Sequence, residues 1–427
     1  MNKQAKALNT TLAEAAAFLS SRGKRMYFPY GGILGQSAEA RACKVNATIG
    51  MAFEEDGSPL VLDCFRKGIN LDTKSFLYTG SFGLPQLRKI WKDMELKKNP
   101  SLKGVKFSDP VVTNALTHGL RVVAELFADS KDELVVPDLF WDNYELIFQE
   151  AVGCKMRTFN TFKDGAFDSA ALEKALLQPG DKKLLILNFP NNPTGYTATN
   201  EDAVKIVAAV KSAADAGKKV VVILDDAYFG LVYEKGVHEE SLFAEFASLS
   251  SNVLAVKLDG TTKEDYVWGL RVGFISFAFK GANDEQLKAL EAKAAGNVRS
   301  AVSNITSIGQ HLSVQALSDK GYAKEKKAKY AVLRARYREI RRILKKNPTF
   351  TESFEAMPFN SGYFMCVKPK GVDAEAVRKR LIEGYSTGTI VLSGLIRLAF
   401  STVPLEKLSS LFASVDSAIR DVKGAKR

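Results

Sequence analysis

Short runs of branched apolar residues alternate with helix-length stretches through the middle of this chain, and that alternation constrains the fold more than any other feature. The runs are ELVV (133–136), KMRTF (155–159), KLLILN (183–188), KVVVILD (219–225), NVLAVKL (252–258) and RVGFISF (271–277). Most show little polar alternation, as expected of strands covered on both faces. Helical stretches lie between several of them, from Asp168 to Leu177 and from Glu201 to Ala216. Strands separated by crossover helices predict an α/β fold, a mostly parallel sheet flanked by helices. The C-terminal third changes character. Long charged helices are expected from about Glu285 to Lys346, then a mixed segment with SGYFMCVKP (361–369) and LIRLAFS (395–401), then a closing amphipathic helix. This reads as a smaller α+β domain.

Length and composition bound the remaining possibilities. The chain has 427 residues, 46% of them hydrophobic, which is enough for two or three folding units. No apolar run reaches the roughly 18 residues of a membrane span, so no membrane association is expected. The N-terminal stretch is interrupted by Glu14 and other polar residues and does not read as a signal peptide. Cys43, Cys64, Cys154 and Cys366 are scattered, with no paired spacing, which suits reduced thiols in a cytoplasmic protein. With three histidines, His118, His238 and His311, no metal site is expected. The net charge is +12, and part of it sits in residues 324–346, where lysines and arginines alternate with apolar residues at helical spacing. That pattern predicts the solvated face of a long helix. No nucleic-acid-binding motif accompanies it, so no nucleic-acid partner is expected, and a basic protein with small anionic ligands fits better.

In open α/β sheets, ligands bind beyond the carboxyl ends of the strands. Three polar groups fall at such ends. NFPNNPTG follows one strand, Asp225 and Asp226 end another, and DGTTK, with Lys263, follows a third. Singly, each is ordinary: a turn, a cap, a solvated lysine. Their order and spacing give them weight.

Taken together, these residues resemble fold-type I pyridoxal-phosphate enzymes, and specifically the aspartate aminotransferase family (class I/II). ILGQSAEA (33–40) and KVNATIGMAFEEDG (44–57) look like the family's substrate loop and the strand after it. YTGSFGLPQLR (78–88), WDNY (141–144), NNPTG (191–195) and DDAYFG (225–230) match family motifs in order. Lys263 and Arg271 stand eight apart, as the family's lysine and phosphate arginine do, and RSAVSN (299–304) and LIRLAF (395–400) complete the series.

The resemblance implies an aminotransferase that moves an amino group between an L-amino acid and a 2-oxo acid, with pyridoxal 5'-phosphate as cofactor. It implies a large cofactor-binding domain over 58–325 and a small domain from 1–57 and 326–427. Lys263 would carry the cofactor and shuttle the α-proton, Asp225 would face the ring nitrogen, and Asn192 and Tyr228 would hydrogen-bond the phenolic oxygen. Trp141 would stack on the ring. Arg271, the helix start at Ala115, Leu116 and Thr117, and Thr261 or Thr262 would hold the phosphate. Gly50, Trp141, Asn192 and Arg397 would line the substrate site, with Arg397 on the α-carboxylate. Tyr78, toward the cofactor, and Arg299, toward a distal carboxylate, would come with Asn304 from the other subunit of a homodimer.

The chain departs from the family at Ala115–Leu116, where a Ser-Gly is usual, at Gly260, where a serine is usual, and at Tyr144, which replaces a histidine supporting the aspartate. Three outcomes share this site. One is transfer with aspartate or glutamate/2-oxoglutarate. The second is an aromatic or broad-range aminotransferase, and the third a lyase or decarboxylase.

Overall fold

The structure is a computed structural model and describes residues 2–29, 31–67 and 69–424. Seven strands form its central sheet. They are β1 (Val111–Thr113), β2 (Glu133–Pro137), β3 (Lys155–Phe159), β4 (Lys182–Leu187), β5 (Lys219–Asp225), β6 (Val253–Gly260) and β7 (Gly273–Phe279). Their order is β1-β7-β6-β5-β4-β2-β3. Every neighbouring pair is parallel except those of β7, which is antiparallel to both β1 and β6. The mostly parallel sheet expected from the branched runs is therefore present. β1, only three residues long, escapes a reading of strand-length runs.

The sheet separates two apolar cores, and the period-two geometry of a strand explains how. Leu184, Ile186, Val221 and Ile223 point into one core, while their chain neighbours Leu185, Leu187, Val220 and Val222 point into the other. Helix α1 (Ala115–Phe127) covers the first face, burying Leu120, Val123 and Ala124. Helix α2 (Asn200–Asp215) covers the second, burying Ile206, Val210 and Ala213. It begins in a reciprocal cap: Thr199 accepts from the Asp202 amide, and Asp202 accepts from the Thr199 amide. Helix α3 (Asp284–Val302) starts with the same device, made by Asn283 and Gln286, and adds Ala294, Ala295 and Val298 to the first core.

The chain ends build a second sheet. β8 (Phe354–Ala356), β9 (Phe364–Pro369), β10 (Ile390–Leu392) and β11 (Leu395–Ala399) pair antiparallel in the order β8-β9-β11-β10. The N-terminal segment joins it: Val45–Asn46 runs parallel to Thr387–Gly388, and the Ala399 amide donates to the Ala47 carbonyl. The strand expected over 44–57 is thus only two residues long. Residues expected as a loop, 33–40, instead form a helix over Ile33–Glu39. Gln36 docks that helix on β10, its amide donating to the Val391 carbonyl at 3.0 Å and its Oε1 accepting from the Val391 amide at 2.7 Å.

Helix α4 (Tyr322–Lys346) is the basic segment. Leu333, Tyr337, Ile340 and Ile343 bury one stripe, and Arg338, Arg341, Arg342, Lys345 and Lys346 face solvent, as an amphipathic helix requires. Arg336 departs from that plan. It is fully buried, with its guanidinium on Glu55 at 2.8 Å and on the Ser401 carbonyl at 2.6 Å. No helix among the described residues is long and apolar enough to cross a membrane.

The turn after β4 packs against the second sheet at Gly195. Gly195 has φ +72°, and a Cβ there would lie 1.8 Å from the Phe364 carbonyl oxygen. Its own carbonyl accepts from the amides of Asn360 and Ser361. A side chain is excluded by both backbone angle and space. Gly195→Ala is expected to destabilise the protein by more than about 2 kcal/mol, seen as a lower urea midpoint at unchanged slope. Gly57→Ala, also at positive φ but with open space around it, serves as the control for the angle alone and should cost less.

Candidate active site

Three parallel strands end side by side above the sheet. β4 leads into Asn188 and Asn192, β5 ends on Asp225, and β6 leads into a single helical turn, Thr261–Glu264, that carries Lys263. The start of α1 approaches the same rim, and β11 brings Arg397 across from the second sheet. One cavity results. Of the residues expected at a site, Gly50, Ala115, Leu116, Thr117, Trp141, Asn192, Asp225, Tyr228, Lys263, Arg271 and Arg397 line it.

Asp225 is buried, and burial pushes its carboxyl above the usual carboxylate range. Tyr144, Lys263 and the Ala227 backbone work against that shift. Tyr144 donates its hydroxyl to Oδ2 at 2.5 Å, and Lys263 lies close enough to favour the anion. The tyrosine thus occupies the supporting role expected of a histidine, with a proton that burial and Asp225 hold on the phenol. Asp225 Oδ1 has no hydrogen-bond partner. Asn188 fixes the aspartate's backbone by donating to its carbonyl at 2.7 Å.

The Lys263 amine sits 5.0 Å above the centre of the Tyr228 ring. Burial lowers its pKa, Asp225 opposes the shift, and the cationic Arg271 adds to it. The amine therefore loses its proton more readily than a surface lysine. Arg271 itself is held at φ +56°, donates to the Trp268 carbonyl at 3.2 Å and is lowered by burial. Arg397 is 1% exposed. It donates to Asn192 Oδ1 at 2.8 Å and to the Thr48 carbonyl at 2.6 Å, and its guanidinium lies 4.4 Å over the Phe364 ring. Its Nε has no partner. A buried guanidinium with a free donor and only neutral partners in direct contact is built to receive an anion.

The two threonines after Gly260 divide. Thr262 lines the cavity, and its hydroxyl is buried without a partner. Thr261, expected to touch the cofactor, is fully buried, does not line the cavity and directs its hydroxyl to the Val272 carbonyl at 3.4 Å. The correction has a simple cause: neighbours on a helical turn point about 100° apart. The first amides of α1, which like those of any helix have no intrahelical partner, have no side-chain cap either. Ala115 adopts φ +58°, and Gly273 packs so close that a Cβ would fall 2.8 Å from the Ala115 backbone.

Tyr78 and Arg299 do not line this cavity. Tyr78 is 93% exposed, and Arg299 is exposed with its guanidinium on Ser303 Oγ at 2.6 Å. Their segments nonetheless meet. Thr79 donates to the Ile305 carbonyl and Ser81 to the Ser303 carbonyl, which brings Tyr78, Arg299 and Asn304 to one region of the surface. The lining also includes Asn188, Ala227 and Phe364, to which sequence reasoning gave no site role, and Ile33, which it placed only within the substrate-loop stretch 33–40. Asn188 was visible as the last residue of KLLILN, whereas Ile33 and Phe364 carry no polar signal. Asp142 was also unassigned. It stands beside Gly32, where a Cβ would lie 3.0 Å from its Oδ2, and the Ile33 amide donates to it.

A family described as "Aminotransferase class I and II" matches residues 55–415. Among curated proteins, a probable N-acetyl-LL-diaminopimelate aminotransferase of Bacillus subtilis is 24% identical over 249 residues, 58% of this chain and 57% of that protein. An aspartate aminotransferase of Geobacillus stearothermophilus is 27% identical over 245 residues, 56% of each. The chain therefore spans about half the length of the curated relatives it matches. Solved structures align over far more. An aminotransferase from Anaerococcus prevotii superposes with TM-score 0.81 at 24% identity, over 92% of this chain and 98% of that one. Aspartate aminotransferase from Saccharomyces cerevisiae cytoplasm gives 0.74 at 21%, over 93% and 98%. At these identities the likeness is one of fold.

The raised pKa of Asp225 has a consequence for the protein without ligand. Its contribution to stability is fully present below the unfolded value of about 4 and is lost as pH rises through the higher folded value. Asp225→Asn removes that loss. The ligand-free variant is expected to melt above the wild type at about pH 7, with the gap closing toward about pH 4. Thermal melts across that range check it, and a gap independent of pH would contradict the burial argument.

Proposed function

The chain belongs to the class I and II aminotransferase family, and from that premise we propose that it is a pyridoxal 5'-phosphate-dependent aminotransferase. The reading is supported above all by one observation: Asp225, Arg397 and the Lys263–Arg271 pair, from three separate stretches of chain, line a single cavity. Domain limits of 58–325 and of 1–57 with 326–427 go with this reading. So does a cytoplasmic location, which suits the four free cysteines.

The lining fits the cofactor on the atoms left without partners. Asp225 Oδ1 would accept from the ring nitrogen, and the Thr262 hydroxyl, Thr117, Arg271 and the first amides of α1 would hold the phosphate. Thr262 thus takes the part of the family serine that Gly260 lacks. Trp141 would cover the ring face, and Asn192 and Tyr228 would meet its phenolic oxygen. When bound, pyridoxal phosphate supplies an aldehyde that an amine can condense with and a ring that draws electrons from the substrate α-carbon.

The chain's own groups do the rest. Lys263, with its lowered pKa, is the amine that holds the cofactor and then moves the α-proton. Asp225, kept in place by Tyr144 and Asn188, holds the ring nitrogen's proton. Arg397 takes the α-carboxylate with its free donor, beside Gly50, where a Cβ would lie 3.5 Å from the Tyr228 hydroxyl. The α-carboxylate carries no information about the side chain, so selectivity falls to other residues.

For these we propose a homodimer in which Tyr78, Arg299 and Asn304 serve the partner subunit's cavity. Their common surface and their absence from this chain's own lining support it. Arg299 would take the distal carboxylate of aspartate or glutamate, since a planar guanidinium can bind both oxygens at once.

The yellow protein–cofactor adduct is expected in the wild type and absent in Lys263→Ala, as absorbance with added pyridoxal phosphate would reveal. A donor screen with 2-oxoglutarate should give glutamate from amino donors. Release of carbon dioxide or ammonia without transfer would favour a lyase instead. Arg299→Ala should lower kcat/KM for aspartate and glutamate by about a hundredfold or more, the size of a lost buried charge partner. Alanine and phenylalanine should suffer far less, and equal losses for all donors would overturn the dicarboxylate assignment. Mixing Tyr78→Phe with Lys263→Ala protein should restore activity through hybrid dimers that keep one intact site.

A further inference from the structure

Lys263 is followed by Glu264 and Asp265, and both carboxylates are buried. The turn that carries these residues is four residues long and has no side-chain cap, so it cannot hold its own shape in isolation. Its position must come from what grips it. Tyr363 donates to the Lys263 carbonyl at 3.0 Å. Lys98, from the helix Pro85–Lys98, meets both Glu264 oxygens at 3.1 Å. Lys326 of α4 alone reaches both acids: its Nζ is 2.7 Å from Glu264 Oε1 and 2.9 Å from Asp265 Oδ1. The Tyr322 hydroxyl, one helical turn earlier on α4, donates to Asp265 at 2.6 Å.

These contacts belong to a larger buried cluster. Lys257 pairs with Glu95 at 3.0 Å, with Asp226 at 3.3 Å and with Asp259. Lys98 pairs with Glu95 at 2.7 Å. Five carboxylates (Glu95, Asp226, Asp259, Glu264, Asp265) thus share three ammonium groups (Lys98, Lys257, Lys326). Without Lys326, Glu264 keeps Lys98, whereas Asp265 keeps no cation among the described residues, only the Tyr322 hydroxyl. An acid stripped of its cation must gain a proton or move toward water, and movement of Asp265 displaces the turn that bears Lys263.

We propose that Lys326 is a positioning residue for Lys263. From the long basic helix it reaches into the core, neutralises the acid pair beside the reactive lysine and fixes the turn from which that amine projects. This rests on the reading of Lys263 as the residue that takes up pyridoxal phosphate.

The test follows adduct formation at Lys263, not turnover. Full-length protein freed of cofactor is mixed with pyridoxal phosphate, and the rate and affinity are read from the visible band, with urea unfolding in parallel. Lys326→Met and Lys326→Gln should each slow the adduct and weaken affinity by at least about tenfold. Arg336→Met, on the same helix but paired with Glu55, should lose stability and keep the wild-type rate. Should neither Lys326 variant fold, Tyr322→Phe removes only a hydroxyl from Asp265 and should slow the adduct about threefold or more. A folded Lys326 variant, or in their absence Tyr322→Phe, with wild-type rate and affinity would overturn the proposal. Arg336→Met slowed as much as Lys326→Met would do the same. A wild type that forms no adduct would instead remove the functional reading on which it stands.

Discussion

The site depends on the parallel register of β4, β5 and β6. Leu187 lies opposite Leu224, and Asp225 lies opposite Leu258, so the strands finish within a residue or two of one another. Whatever follows each strand is delivered to the same rim: an asparagine turn, an aspartate, a lysine. A slip of one residue in any pair would send alternate side chains to the other face and empty the cavity of its polar groups. The two apolar cores hold the register, because every branched residue of these strands is committed to one core or the other. Packing far from the cavity thus decides the chemistry inside it.

Buried charge is the second organising feature. Asp225, Lys263, Arg271 and Arg397 are each pushed by burial toward the neutral form. A site that waits for a charged ligand must tolerate this cost in the free protein. Burial pushes Asp226, Asp259 and Asp265 of the neighbouring cluster the same way, but each acid there meets a lysine. One set of charges waits for ligands, and the adjacent set is met by its own cations.

The legibility of these features in the sequence follows their range. Strands β2 and β4 to β6 announce themselves because a strand covered on both faces needs a run of branched residues, whereas β3 lies at the sheet edge with Lys155 and Thr158 exposed. β1 goes unannounced, since three residues carry too little pattern. Residues 33–39 form a helix where a loop is expected, because what stabilises them is Gln36 on β10, 355 positions away. Thr261 and Thr262 are indistinguishable by type, and only the rotation of the helical turn separates the one that lines the cavity. Motifs place Lys263, Asp225 and Arg397, but the cluster of three lysines and five acids joins residues from 95 to 326 and has no sequence signature. The basic helix reads correctly on its solvent face, while Lys326 and Arg336, its inward charges, look like all the others.

The contact of Gly195 with Phe364 bears on how the protein can move. The Asn192 turn and strand β9 meet there backbone to backbone, with no side chain between them to stretch or rearrange. β9 is also the strand that pairs with β11, which holds Arg397. Around Gly195 the contact widens into a seam: the Gly195 carbonyl accepts from the Asn360 and Ser361 amides, Thr197 and Asn360 exchange hydrogen bonds, and Cys366 donates to the Pro193 carbonyl. A seam of several backbone contacts resists sliding as well as separation, so the Arg397–Asn192 pair is braced from both sheets.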